Sequence, residues 1–186
     1  ECTYNNPLRS VKKDARDKDI AVIKTVINQT ISNNGSVLIP CFALQRMETM
    51  LYTLWTIYHK DKSFDTQIVV DSPLAVKLLD AFEQNLIGDD VALLKEILSW
   101  KNIKIIRTIE ESKLCVADTR PKIICSSSGM LTQGRSVLYL KKILPNSKSS
   151  IITCGYMSEG SLGWKIKNMS DKKYITIDNK SYPNRC

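Results

Sequence analysis

Histidine is almost missing from this chain: His59 is the only one in 186 residues. A catalytic zinc site usually takes about three protein ligands. A lone histidine in a Tyr-His-Lys-Asp-Lys stretch, at a predicted helix end, does not begin one, so no metal site is expected within this sequence. Six cysteines stand at 2, 41, 115, 125, 154 and 186, but no two have the spacing of a zinc knuckle or a CxxC redox motif. Nor do they look like a disulfide scaffold, and a reducing, cytoplasmic setting is expected. Cys41, Cys125 and Cys154 follow apolar β-type runs and are expected to be buried thiols at strand ends. No apolar run approaches the ~18 residues of a membrane span, and no charged-then-apolar stretch opens the chain, so no membrane partner is expected. Internal repeats, low-complexity tracts, the P-loop pattern and the dinucleotide glycine fingerprint are all lacking.

What remains is an ordinary globular balance, 43% hydrophobic and 25% charged, able to bury a core. The length suits one domain, and the start at Glu1 and end at Cys186 are expected to be cuts through a longer protein, with 1–186 as a single domain of it. The formal net charge is +8 with a pI near 9.2. A basic surplus favours polyanions, nucleic acid above all, although scattered solvated lysines would give the same number.

Short β-rich runs alternate with helical patterns. Ile20, Ile23, Val26, Ile27 and Ile31 recur at helical spacing over 14–32, and Asn33-Asn34-Gly35 ends that helix. Strands are expected over 36–40, 67–70, 103–107, 122–125, 150–154 and, last, 174–177. Helices are expected over 44–58, 73–84, 89–100 (capped by Asp89-Asp90), 110–117, 135–144 and 161–167. Several strands are continuous apolar runs, as when both faces of a sheet are covered. The fold class is therefore α/β: a mainly parallel, doubly wound sheet with helices on both faces. Such sheets bind ligands at the carboxyl ends of their strands, so the loops after the strands are the candidate site.

Four such loops carry chemistry. Pro40-Cys41-Phe42-Ala43-Leu44-Gln45-Arg46 places Arg46 near a helix start, where its guanidinium suits a phosphate or an internal carboxylate equally. In Asp71-Ser72-Pro73-Leu74-Ala75, Ser72 is a good N-cap and Pro73 fits the first helical position, with Lys77 on the first turn. Cys125 to Arg135 sets Ser126, Ser127, Ser128, Gly129 and Gly134 between strand and helix, small residues that let backbone amides approach a phosphate. In Gly155 to Gly163, Tyr156 can stack on a base and Ser161 can cap the helix or bond a phosphate. Glu159, beside Gly160, is expected to fix that loop or to orient a neighbouring group.

Together these segments resemble the β-CASP family, whose members include RNase J and the endonuclease of the cleavage and polyadenylation machinery. Glu1-Cys2-Thr3-Tyr4-Asn5 is similar to its E-S-T-Y-G start, 37–46 to V-L-I-P-x-F-A-x-G-R, and 71–75 to D-S-P-L-A. Pro121 through Arg135 is similar to P-K-I-I-x-A-S-S-G-M-L-x-G-G-R, and Gly155 through Leu162 to G-Y-Q-A-E-G-T-L. The resemblance covers nearly the whole chain. It implies a clamp domain inserted in a metallo-β-lactamase domain that holds two zinc ions, with single-stranded RNA running between the two. The expected partners are thus RNA and the protein's own metallo-β-lactamase domain, with a homodimer left open. By the resemblance Glu1 is a supporting catalytic residue that orients a histidine, but that histidine's position is taken here by Lys165. Ser127, Ser128 and Gly129 match the cleft-facing loop, Ser161 replaces a threonine, and Gln45 replaces a common glycine. The nucleic-acid-binding set is then Arg46, Ser72, Lys77, Ser127, Ser128, Gly129, Arg135, Tyr156, Glu159, Gly160, Ser161 and Lys165. With the zinc ligands outside the sequence, the isolated chain is expected to be inactive. An independent nucleotide-binding α/β protein, a DNA-processing β-CASP nuclease and a scaffold domain without cleft chemistry stay open as alternatives.

Overall fold

The computed structural model describes residues 13–85, 87–168 and 173–186. Glu1, and with it the first of the five family-like segments, lies outside them. The helix α1 (Lys13–Ser32) leads into β1 (Val37–Pro40), and then the pairs α2 (Arg46–Tyr58) and β2 (Gln67–Asp71) follow. Two helices, α3 (Pro73–Asn85) and α4 (Asp89–Ser99), precede β3 (Ile103–Ile105). The chain continues through α5 (Ile109–Ala117), β4 (Lys122–Ser126), α6 (Arg135–Ile143), β5 (Ser150–Ile151) and α7 (Leu162–Asn168). It closes with β6 (Tyr174–Ile177) and β7 (Lys180–Pro183).

Strands β1 to β5 form one sheet in the order β3-β2-β4-β1-β5, and every pairing in it is parallel. The apolar runs explain why. Along β1, Val37 and Ile39 face one core with Ile27 of α1 and Leu51 and Leu54 of α2. Leu38 between them faces a second core with Tyr139 and Leu140 of α6. Alternate side chains of β2 and β4 divide the same way, so all three inner strands are apolar on both faces. Beside the first core the rings of Tyr58 and Phe64 stack at 4.0 Å.

The differences from expectation have local causes. The last strand is half of an antiparallel hairpin, turned by Asp178 and Asn179 at φ 48° and 60°, and its Ile175 and Ile177 seal the second core. Lys180–Pro183 lacks an apolar alternation that would mark it as a strand. β5 stops at Ile151 rather than continuing to 154. Asp89 and Asp90 sit in the first turn of α4, and Gly88, not an aspartate, is its N-cap. A capping box that the composition did not single out starts α5: Thr108 accepts from the Glu111 amide while the Glu111 carboxylate accepts from Thr108.

The connections position the site. The helices that follow β1 and β2 pack on the first core, and those that follow β3 and β4 on the second. The connections therefore leave the parallel neighbours β2 and β4 toward opposite faces of the sheet, where Asp71 lies opposite Ser126. A crevice is expected at such a switch point.

Candidate nucleic-acid interface

The crevice between β2 and β4 is filled by the chain's own polar groups. Asp71 is fully buried. One carboxylate oxygen accepts from the Arg135 guanidinium at 3.1 Å, and the other from Ser112 Oγ at 2.5 Å and Tyr139 Oη at 2.8 Å. Its backbone carbonyl accepts from Ser126 Oγ at 2.7 Å. A buried carboxylate is tolerable only when paired and hydrogen-bonded in this way. Burial first, then Cys115 and Asp71 beside it, push the Tyr139 phenol far above its ordinary range, so it stays a donor. Ser72 is also fully buried, and its Oγ accepts from the Ala75 amide at 3.3 Å. In this structure Ser72 caps α3, and Arg135 neutralises Asp71 with only 16% of its side chain exposed.

The serine loop after β4 folds around itself. Ser128 Oγ accepts from the Thr132 amide at 3.2 Å and Ser128 carbonyl from Ser136 Oγ at 2.9 Å. The Ser127 carbonyl accepts from the Ser136 amide at 2.7 Å. Gly129 lies flat against Phe42: a Cβ there would stand 2.9 Å from the ring and 3.0 Å from the Phe42 nitrogen. The loops after β1 and β4 therefore touch through a position that only glycine fills. The loop after β5 joins the same layer. The Gly163 amide donates to the Met130 carbonyl at 2.9 Å, and a Cβ on Gly163 would collide with Met157 and with that carbonyl.

Within this layer the side chains differ in reach. Lys77, Tyr156, Glu159, Gly160 and Lys165 are exposed, and Arg46, Ser127 and Ser128 are half-buried. Ser161 is buried, and its Oγ accepts from the Trp164 amide at 3.2 Å. Lys77, Tyr156 and Lys165 thus lie open at the surface, while Ser72, Arg135 and Ser161 make the internal contacts just described.

Gln45 shows what its replacement of a glycine entails. The Arg46 amide donates to the Leu44 carbonyl at 2.7 Å, across a Gln45 held at φ 63° and ψ −47°. This is a γ-turn of the rare, strained hand, and it aims α2 into the layer. Cys41 and Cys154 lie beside it with Sγ atoms 3.7 Å apart, and Cys154 Sγ donates to the Pro40 carbonyl at 3.4 Å. Cys41, Cys115, Cys125, Cys154 and Cys186 are free thiols.

Next to this layer a trough of about 1070 Å³ opens between α1, α2, the end of β5 and α7. Ile20 and Ile23 of α1, two of the residues at helical spacing, are half-buried and wall it. Arg46 and Thr49 form a second wall, and Tyr156, Trp164 and Lys167 a third. Trp164 and Lys167 were not among the residues expected from the sequence. Their spacing of three on α7 puts them on one face of the helix, which is the signal that could have found them.

Comparison with known proteins reaches the same loops. The sequence model of the Beta-Casp domain matches residues 47–166, more than half of the chain. The chain belongs to the Beta-Casp family. It is similar to Ribonuclease TTHA0252 of Thermus thermophilus, 29% identical over 173 residues that are 89% of this chain and 38% of that protein. It is similar to the Transcription termination factor FttA of Pyrococcus abyssi, 30% identical over 90% of this chain and 26% of that protein. With Endoribonuclease ysh1 of Schizosaccharomyces pombe it shares 27% identity over 100% of this chain and 24% of that protein. The chain spans well under half the length of each of these β-CASP relatives. The parallel α/β sheet is the architecture expected of the family.

Proposed function

We propose that this chain is the RNA-gripping β-CASP part of a metallo-β-lactamase-type ribonuclease, acting on single-stranded RNA in the cytoplasm. The observation that carries the reading is convergence. Loops after three different parallel strands bring Arg46, Lys77 and Tyr156 to one end of the sheet, and α7, which follows the last of them, adds Lys165. They sit on a chain of net charge +8. Cations and an exposed aromatic at strand carboxyl ends suit a phosphate backbone with unpaired bases. Relatives named as ribonucleases and endoribonucleases support RNA over a free nucleotide.

The residues of this chain bind and orient RNA. Among the described residues no three His, Cys, Asp or Glu side chains are placed to hold a metal ion, so no hydrolytic step is assigned to them. Phosphodiester hydrolysis, with zinc as the expected metal, belongs to the metallo-β-lactamase domain that this part would cover. Exposed Leu44 and Leu74, both at strand-to-helix junctions on the same end of the sheet, suit such a covering domain.

The test compares this chain with the longer gene product for zinc content and RNA cleavage. Zinc and cleavage in the longer protein alone support the reading. Cleavage by the 186-residue chain itself, free of contaminating nuclease, overturns it.

A further inference from the structure

We infer that the trough between α1, α2 and α7 is a base-stacking subsite for single-stranded RNA, with Trp164 and Tyr156 as its platforms and Lys167 on its rim. The inference rests on the RNA-gripping reading and goes beyond it by naming where the bases sit.

The trough's size comes first. At about 1070 Å³ it reaches the top of the roughly 300–1,000 Å³ range of pockets for single small molecules. Its chemistry is divided as a nucleotide strand is divided. Ile20 and Ile23 give an apolar wall, while Tyr156, half exposed, and the partly buried Trp164 offer aromatic faces. Among the described residues that line it, Lys167 is an exposed cation and Asp19 a carboxylate.

The other aromatic side chains near α2 are engaged. Trp55 stacks on His59 at 3.8 Å and Trp100 on Phe64 at 6.0 Å. Trp164 and Tyr156 stack on no ring among the described residues, and both line the same open volume. Every base has a π-face, so aromatic platforms bind unpaired strands with little sequence preference. Lys167 one turn on from Trp164 is placed for the phosphate of a stacked nucleotide.

The test uses the whole 186-residue chain with two fluorescein-labelled probes of equal length and charge, a decameric oligoadenylate and a decamer of abasic sites. The expected result is tighter binding of the oligoadenylate. Trp164→Ala and Tyr156→Ala each weaken it by about 5- to 150-fold, the range of one lost stacking contact, with the abasic probe unaffected. Trp164→Phe restores much of the difference. Tyr156 is exposed enough that its variant keeps the fold even if Trp164→Ala does not. Equal binding of both probes overturns the stacking subsite while leaving RNA binding intact. Binding of neither probe overturns both readings. If Trp164→Ala leaves oligoadenylate binding unchanged but weakens association with the separately produced remainder of the protein, the trough holds polypeptide and the inference fails.

Discussion

Asp71 at the end of β2 and Arg135 at the start of α6 meet at 3.1 Å in the crevice between the parallel strands β2 and β4, the carboxylate fully buried. The place where a doubly wound sheet ordinarily takes its ligand is thus closed by an internal ion pair. In the proposed reading, RNA is held instead by the exposed cations around it and by the trough beside α7.

Asp71→Ala removes the partner of Arg135 and of the Ser112 and Tyr139 hydroxyls at once. Breaking a buried pair by deleting one member costs about 3–5 kcal/mol. A fall in the urea midpoint equal to that loss divided by the slope, at unchanged slope, is expected. An unchanged midpoint would mean that Asp71 does not hold the crevice together.

Gln45→Gly is expected to stabilise the protein. The strained γ-turn costs on the order of 1–3 kcal/mol for a residue with a side chain, against roughly 0.4–1 kcal/mol of added unfolded-state entropy for glycine. The exposed Gln45 side chain makes no cap bond to lose. A net gain of about 1 kcal/mol raises Tm by about 2–4 °C at this chain length, measurable by calorimetry. A lower Tm would show that the turn is not strained.

Gly129→Ala is expected to weaken the layer of loops, because the new methyl group meets both the ring and the backbone nitrogen of Phe42. A loss of about 1–3 kcal/mol is the usual result of such overpacking. The double variant with Phe42→Leu recovers part of it. Full tolerance of alanine would separate the loops after β1 and β4.

Much of this fold could be read in the sequence, because its signals are local. Val37-Leu38-Ile39 and Ile123-Ile124-Cys125 are apolar enough to be inner strands wherever they pair. The ligand-facing set was less legible because a side chain's partner is not a local property. Arg135 and Asp71 are 64 positions apart, and nothing near Arg135 in sequence says that its charge is already neutralised. Ser72 and Ser161, by contrast, were legible as helix caps and act as such. Trp164 and Lys167 were missed because the trough they face exists only once α7 has packed beside α1 and β5.

The buried Tyr58 hydroxyl donates to Asn28 at 2.9 Å. Burial, with Asp61 adding to it, pushes its pKa up to about 12. Above pH 10 the unfolded chain releases this proton and the folded one keeps it, so stability falls as pH rises from about 10 to 12. Two pH units correspond to roughly 2–3 kcal/mol. Tyr58→Phe is expected to flatten the stability profile in that window, followed by urea melts at stepped pH. An unchanged profile would place Tyr58 in contact with solvent.

The most direct measurement is the salt dependence of single-stranded RNA binding by the 186-residue chain. The account predicts binding that weakens steeply between 50 and 200 mM salt, by a slope of about 0.7 per phosphate contact. Lys77→Ala and Lys165→Ala should each lower that slope by about one contact. Arg135→Lys, which keeps the charge beside Asp71, should leave it unchanged. No RNA binding at low salt, or a slope that responds to Arg135 and not to Lys77 or Lys165, would contradict it.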